Sequence, residues 1–398
     1  MLTRLHLTTA GESHGPELTG ILDGFPAGVP IDSARIDADL ARRQIGYGTG
    51  GRMAIEQDHA RITAGIWNGL STGGPIAMTI VNRDYANWRD KLIAPMTAPR
   101  PGHADLAGAI KYGFPDFRWS LERASARETA MRVALASCCA QLLEQFGIFV
   151  GGYVIGLGDV VADLSADASP DEERRRIDLA RADELCCPDP VASARMHAAI
   201  AATMQAKDTL GGLFQIVALG LPPGLGSYAQ WDRRLDGRLA HAVLSIPAMK
   251  GVEIGPAFAN ATRPGTAVQD PIGVDAAGNL TRSTNRSGGL EGGVTTGAPV
   301  VLWVAMKPLS TTLNPLPTVD LATGEPTVTT YERSDFCALP RAVPIGEAMV
   351  SLVLTDALLE KVGGDSLQEI APRVAGLRQA RVGDLKMGNV AWTMGYGE

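Results

Sequence analysis

Gly24-Phe25-Pro26-Ala27-Gly28, set beside Gly220-Leu221-Pro222-Pro223-Gly224, decides how this chain is organised. After each turn comes a similar amphipathic run, Arg35-Ile36-Asp37-Ala38-Asp39-Leu40-Ala41 in the first case and Arg234-Leu235-Asp236-Gly237-Arg238-Leu239-Ala240 in the second. Further along, Thr72-Gly73-Gly74-Pro75-Ile76 has a counterpart in Thr296-Gly297-Ala298-Pro299-Val300. Three matches in one order, at a slowly growing separation, predict two related halves, each with a strand, a G-x-P-x-G turn, a helix and a later strand.

The elements around these repeats mix helix and strand. Ser125-Ala126-Arg127-Glu128 has the form of a capping box, followed by an apolar face through Met131, Ala134, Leu135, Cys138, Leu142 and Phe146 to a stop at Gly147. A second helix is expected over Glu347 to Val362, closed by Gly363-Gly364. Ile76 to Ile80, Leu213 to Ala218 and Val300 to Ala305 read as strands bounded by Gly or Pro. No regular βαβ beat appears, so the class is α+β. Segment 161–184, with Asp171-Glu172-Glu173-Arg174-Arg175-Arg176, reads as a solvated excursion whose charges line an exposed helix face.

Across 398 residues the chain is 45% hydrophobic and 20% charged, a globular composition, and its 46 glycines and 25 prolines are spread as turn punctuation. A formal net charge of −7 disfavours a general grip on nucleic acid or an anionic membrane, so any anion must be held locally. Met1-Leu2-Thr3-Arg4-Leu5-His6 lacks a signal-peptide core and no run approaches ~18 apolar residues, so a cytoplasmic location is expected. The five cysteines, Cys138-Cys139, Cys186-Cys187 and Cys337, lack zinc spacing and read as reduced thiols.

Two of the six histidines sit in Gly-rich polar loops, His14 in Gly11-Glu12-Ser13-His14-Gly15 and His103 in Arg100-Pro101-Gly102-His103-Ala104-Asp105. Each fits a structural loop residue or a proton carrier. Arg42-Arg43, Arg52, Arg100, Arg123, Arg127, Arg333 and Lys307 stand beside Gly, Pro or helix-start signals. Arg123 and Arg127 flank Ser125, where a helix start would favour an anion. Guanidinium forks hold phosphate and carboxylate two-pronged, so this clustering in a net acidic chain points to a small polyanionic ligand. Gly46-Tyr47-Gly48-Thr49-Gly50-Gly51 satisfies G-x-G-x-x-G but follows a helix-like run, which excludes the dinucleotide-fold context. No Walker loop, G-x-S-x-G elbow or HExxH occurs.

Gly11-Glu12-Ser13-His14-Gly15, Arg42-Arg43-Gln44, Arg100 to Asp105, Glu122 to Thr129, Lys250-Gly251-Val252-Glu253-Ile254-Gly255, Gly288 to Gly293 and Glu332-Arg333-Ser334-Asp335 follow one another in this order. The series resembles the chorismate synthase family from about Leu2 to Leu367. The resemblance implies a β-α-β sandwich with two pseudo-symmetric halves around a helical layer, residues 1–370 forming one catalytic domain and 371–398 a C-terminal tail. It implies elimination of phosphate from 5-enolpyruvylshikimate 3-phosphate with reduced FMN, a homotetramer, and leaves NAD(P)H open as reductant.

By the same resemblance, Arg43, Arg52, Arg100, Arg127 and Arg333 would hold substrate. Arg43, Thr49, Arg123-Ala124-Ser125, Pro247-Ala248, Gly292, Lys307-Pro308-Leu309-Ser310-Thr311 and Arg333 would contact the flavin. His14 would give a proton to the departing phosphate, His103 would protonate or tune the flavin, and Asp335 would assist proton movement. Thr49 stands where the family commonly has arginine, and Pro256-Ala257 where Asp-Gly is common. A flavin-binding relative with another substrate, or a scaffold without catalysis, are the competing expectations. The set His14, His103 and Asp335 argues against a scaffold, which has no use for it.

Overall fold

The structure is a computed structural model that describes residues 2–48, 57–165, 168–332, 335–377 and 379–385. Strands β1 (His6–Ala10), β2 (Glu17–Asp23), β3 (Ala60–Ala64) and β4 (Ile76–Val81) form an antiparallel sheet in the order β1-β2-β4-β3. Strands β5 (Phe149–Leu157), β6 (Val160–Val161), β7 (Gly212–Leu219), β8 (Met249–Ile254) and β9 (Val300–Met306) form a second, in the order β8-β9-β7-β5-β6. With the edge strand β6 set aside, the two orders are the same when β1 is matched to β5, β2 to β7, β3 to β8 and β4 to β9.

The repeat extends to single hydrogen bonds. Ser71 Oγ accepts from Val29 N at 2.9 Å and donates to Pro26 O at 2.6 Å. Thr295 Oγ1 accepts from Leu225 N at 2.8 Å and donates to Pro222 O at 2.7 Å. Gly24 and Gly220 open the equivalent turns at φ +79° and +75°, where a Cβ would run into the carbonyls of Arg4 and Gly147. The sequence repeat is therefore a repeat of turn chemistry.

Between the sheets lie α1 (Ser33–Arg42) and α4 (Thr129–Glu144) of the first half, with α4 on the first sheet, while α2 (Asp105–Tyr112) and α3 (Phe117–Ala124) pack on each other. Helix α5 (Pro170–Ala182) covers the outside of the second sheet; α6 (Pro190–Gln205), α7 (Leu235–Leu244), α8 (Leu339–Val362) and α9 (Leu367–Ala375) follow along the chain. Helix α8 lies on the second sheet and packs on α4, with α1 and α7 at equivalent flanks. Both central helices are apolar nearly all round because both faces are covered, which is the expected sandwich around a helical layer. Among the described residues α8 is long and apolar enough to cross a membrane, but its apolar stretch is buried inside the fold.

Helix α8 also carries an anchor for the chain's start. Asp356, fully buried, accepts from the backbone N–H groups of Thr3 (2.9 Å), Arg4 (2.7 Å) and Leu5 (2.7 Å), and pairs with Arg238 of α7.

Four expectations change. Helix α8 begins at Leu339, eight residues before Glu347, and runs through Pro344. Proline has no N–H for the carbonyl four residues earlier, and here the Cys186 thiol donates to that Pro340 oxygen at 3.7 Å. The capping box does not close: Ser125 caps a 3₁₀ turn over Ala126–Glu128 by accepting from Arg127 N, while Glu128 pairs with Arg132. The charged run of α5 is not wholly solvated, because Tyr153 donates to the buried Glu173 at 2.7 Å and Arg176 pairs with the same carboxylate at 3.4 Å. This helix covers the outer face of the second sheet through Ile177 and Ala180. Arg123 ends α3 and does not open α4. Helix α9 runs across residue 370, and beyond it Leu280 N donates to Ala380 O at 2.6 Å and Val382 N to Gly278 O at 3.1 Å, tying the chain to the hairpin 272–282. The five thiols are free, and burial pushes Cys138 up to about 12 and Cys187 and Cys337 to about 11, which disfavours their thiolate forms.

Candidate active site

One end of the helical layer opens into a cavity of about 610 Å³, within the range of small-molecule sites. Its walls come from both halves. The β1–β2 loop brings His14, and is held by Ser13 N donating to Glu122 O (3.0 Å) and by Asn82 Nδ2 donating to the carbonyls of Glu12 (3.1 Å) and Gly15 (2.8 Å). The end of α1 brings Arg43, the α3–α4 junction brings Ala124, Ser125 and Arg127, and the turn before α2 brings Arg100 and His103. From the second half come Pro247 and Ala248 before β8, Lys307, Leu309, Ser310 and Thr311 after β9, and Asp335 before α8.

Arg43, Arg100 and Arg127 are 3%, 7% and 6% exposed, so their charges are answered inside the protein. Arg127 Nη1 donates to both oxygens of Asp58 at 2.6 and 2.7 Å, and Arg43 Nη1 lies 3.6 Å from the same carboxylate without a hydrogen bond. Arg43 otherwise donates to Ala126 O (2.7 Å) and Thr129 Oγ1 (3.1 Å). Arg341 pairs with Asp335 and donates to Arg43 O at 3.0 Å. Burial, then the guanidiniums of Arg341 and Arg127, pull Arg43 down to about 9, while Asp58 only partly offsets them. Burial, then Lys250, likewise lowers Lys307. An anion in the cavity would relieve both.

Arg100 and His103 share one buried carboxylate. Asp105 accepts from Arg100 Nε at 2.8 Å and Nη2 at 3.0 Å and from His103 Nδ1 at 2.5 Å, while Arg100 Nη1 reaches Thr311 at 3.0 Å. Burial alone would push the Asp105 carboxyl up, but the bonds from His103 and Arg100 hold it well below the usual carboxylate range. A lowered folded value adds stability that is present above the unfolded value of about 4 and is lost as pH falls through the folded value. Asp105→Asn should therefore melt below the parent at pH 7, with the gap closing as pH falls below about 4. A gap that stays constant from pH 7 to pH 3 in thermal melts would show that the charge of Asp105 adds nothing.

Arg123, Gly292 and Pro308 do not line the cavity. Arg123 braces the β1–β2 loop through Thr9 O (2.9 Å) and Gly11 O (3.1 Å), and Gly292 takes the first place of a two-residue hairpin turn at φ +60°. Thr49, Arg52 and Arg333 lie outside the described residues. Five further residues shape the site. Asp105, two residues after His103, and Arg341, beside Pro340, carried the signals that marked their neighbours. Asp58 and Trp88 carried no signal, and Glu122 opens the run Glu122 to Thr129 without being marked as a partner of His14, since only the fold sets them beside Arg127 and His14.

Buried cations crowding a cavity that two carboxylate-held histidines line define an enzyme site for a small polyanion, set across a two-sheet sandwich. The sequence profile of the chorismate synthase family matches residues 5–359. The chain belongs to that family, whose members are lyases. It is 50% identical over 376 residues to chorismate synthase of Desulforudis audaxviator, covering 92% of this chain and 95% of that protein. Over 375 residues it is 51% identical to chorismate synthase of Rubrobacter xylanophilus, with the same coverage. A crystal structure of chorismate synthase superposes with a TM-score of 0.79 at 40% identity, covering 94% of this chain and 97% of that one.

Proposed function

We propose that this protein converts 5-enolpyruvylshikimate 3-phosphate to chorismate and phosphate by 1,4-anti elimination, with reduced FMN bound in the same cavity. The observation that carries the reading is the crowding of Arg43, Arg127 and Arg341 around one carboxylate pair, Asp58 and Asp335, with a buried Arg43 N–H left without an acceptor. In a low-dielectric site such cations bind phosphate and carboxylates strongly, and they offset the repulsion between an anionic substrate and an anionic cofactor.

The residues fit a flavin mononucleotide. Ile246, Pro247, Met249 and Ile345 give an apolar wall for a ring system, and Lys307, Ser310 and Thr311 give a cation and two hydroxyls for a phosphate. When bound, reduced FMN supplies the transient electron density that C–O cleavage needs and that no side chain can give. Arg43, Arg100 and Arg127 orient the substrate's anionic groups. His14, with Nδ1 on Glu122, presents Nε2 as the atom that protonates the departing phosphate. His103, with Nδ1 on Asp105, holds a proton beside the cofactor, and Asp335, steadied by Arg341, accepts one. Residues 1–370 would act as one catalytic unit. We place it in the cytoplasm as a homotetramer; the open outer face of the first sheet, where Ile21 and Val81 are exposed, supports association with further copies.

Anaerobic assay with chemically reduced FMN, following chorismate absorbance, tests the reaction. Calorimetric titration tests the shared cavity, because substrate should tighten FMN binding by roughly 5–150-fold, the usual span of site coupling. Equal FMN affinity with and without substrate would remove the shared cavity, and flavin binding without turnover would leave a scaffold.

A further inference from the structure

Among the described residues two side chains restrain His14, Trp88 and Glu122, and of these two Glu122 can select a proton position. The His14 ring lies against Trp88 with centroids 4.0 Å apart and a 33° tilt, and Trp88 is itself fixed by Nε1 donating to the buried Asp84 at 3.1 Å. This contact limits tilting of the ring but does not distinguish its nitrogens. In the ring plane, Glu122 Oε1 stands 2.8 Å from His14 Nδ1, and Oε2 accepts from the His14 backbone N–H at 2.8 Å. One carboxylate thus grips both the backbone and the ring of the same residue, while the Glu122 carbonyl takes Ser13 N–H at 3.0 Å.

Burial alone would push the Glu122 carboxyl up, but the His14 ring, the His14 backbone N–H and Arg118 outweigh it and hold the carboxyl below its usual range. At neutral pH Glu122 is therefore ionised and accepts only, so Nδ1 must be the donor. Arg118, 4.0 Å from Glu122 Oε1 and paired with Glu332 at 3.2 Å, adds positive charge beside the carboxylate.

We propose that Glu122 is the positioning residue for His14: its carboxylate holds the Nδ1–H, so that the imidazolium gives up its Nε2 proton and the neutral ring left behind keeps its proton on Nδ1. The inference rests on the proton-donor reading of His14 above. A glutamine has the same shape, but its amide N–H₂ can donate to Nδ1 and favour the opposite tautomer, and its single oxygen cannot serve both the ring and the backbone N–H.

The test is Glu122→Gln, in the parent and in a His14→Ala background, on the full chain. In the parent, kcat should fall about 10–100-fold, a part of what general acid catalysis contributes, while KM stays within about threefold. In the His14→Ala background the same change should cost less than roughly twofold, since the two residues act as a unit. Long-range ¹⁵N NMR of histidine-labelled protein should show the His14 proton leaving Nδ1. Glu122→Asp, which keeps the charge, replaces the amide if that variant does not fold, with a smaller loss in kcat and the same dependence on His14.

An equal loss in both backgrounds, or an unchanged His14 tautomer in Glu122→Gln, overturns the proposal. A changed tautomer with unchanged turnover upholds the grip of Glu122 on the ring and overturns instead the proton role given to His14.

Discussion

His14→Ala should lower kcat by about 10²–10⁴-fold, the span general acid catalysis contributes, while leaving the melting temperature close to that of the parent. The ring is at the end of a loop whose shape is set by other groups: Asn82 holds the carbonyls of Glu12 and Gly15, and the Glu122 carbonyl holds Ser13 N. Removing the imidazole also spares the backbone bond from His14 N to Glu122, so the loop keeps its anchors. Substrate affinity should change little, because the anion grip belongs to the arginines and a leaving-group proton is needed only in the transition state. His103→Ala should behave alike, since Asp105 retains its bonds from Arg100. Steady-state kinetics with circular dichroism and thermal melts separate the outcomes. A variant that unfolds assigns its histidine to the fold, and one with full turnover cancels its proton role.

Asp356→Ala should cost about 3–5 kcal/mol of stability, the usual result of breaking a buried ion pair from one side. The carboxylate is fully buried, and its removal strands three backbone N–H groups at Thr3, Arg4 and Leu5. Arg238, 3% exposed, would keep only Glu360 at 2.8 Å. Because Asp356 ties the first residues of the chain to α8 and α7, the loss should release the segment before β1. Denaturant unfolding should show a much lower midpoint. Turnover per folded molecule should stay near the parent value at low temperature, because Asp356 lines no part of the cavity. A destabilisation below about 1 kcal/mol would mean that water replaces the carboxylate at the freed N–H groups.

What the sequence discloses depends on whether a signal is local. The strands at Ile76, Leu213 and Val300 are legible because apolar runs end at Gly or Pro, and the two halves are legible because turn geometry demands glycine at positions 24 and 220. The first turns of α8 are not, since Pro344 reads as a stop until the Cys186 thiol is seen at the Pro340 carbonyl. Glu173 and Arg176 look like surface charges until Tyr153 of β5 is placed beneath them. At the site, His14, His103 and the arginines announce themselves by Gly and Pro neighbours. Their partners do not, because Asp58 meets Arg127 and Glu122 meets His14 only through tertiary structure.

The matched halves have a consequence for how such a site can arise. The contact of α4 with α8 has the form of a self-complementary interface between two copies of one half-length unit, made covalent within a single chain. Two identical subunits related by a two-fold axis must change every loop twice. Fusion lifts that constraint. The connection between β1 and β2 stays short and carries His14, whereas its counterpart between β5 and β7 has grown to hold α5 and α6. Asymmetry of this kind lets the two halves bring different side chains to one cavity, His14 and His103 from one and Lys307 and Asp335 from the other, a division closed to a symmetric pair.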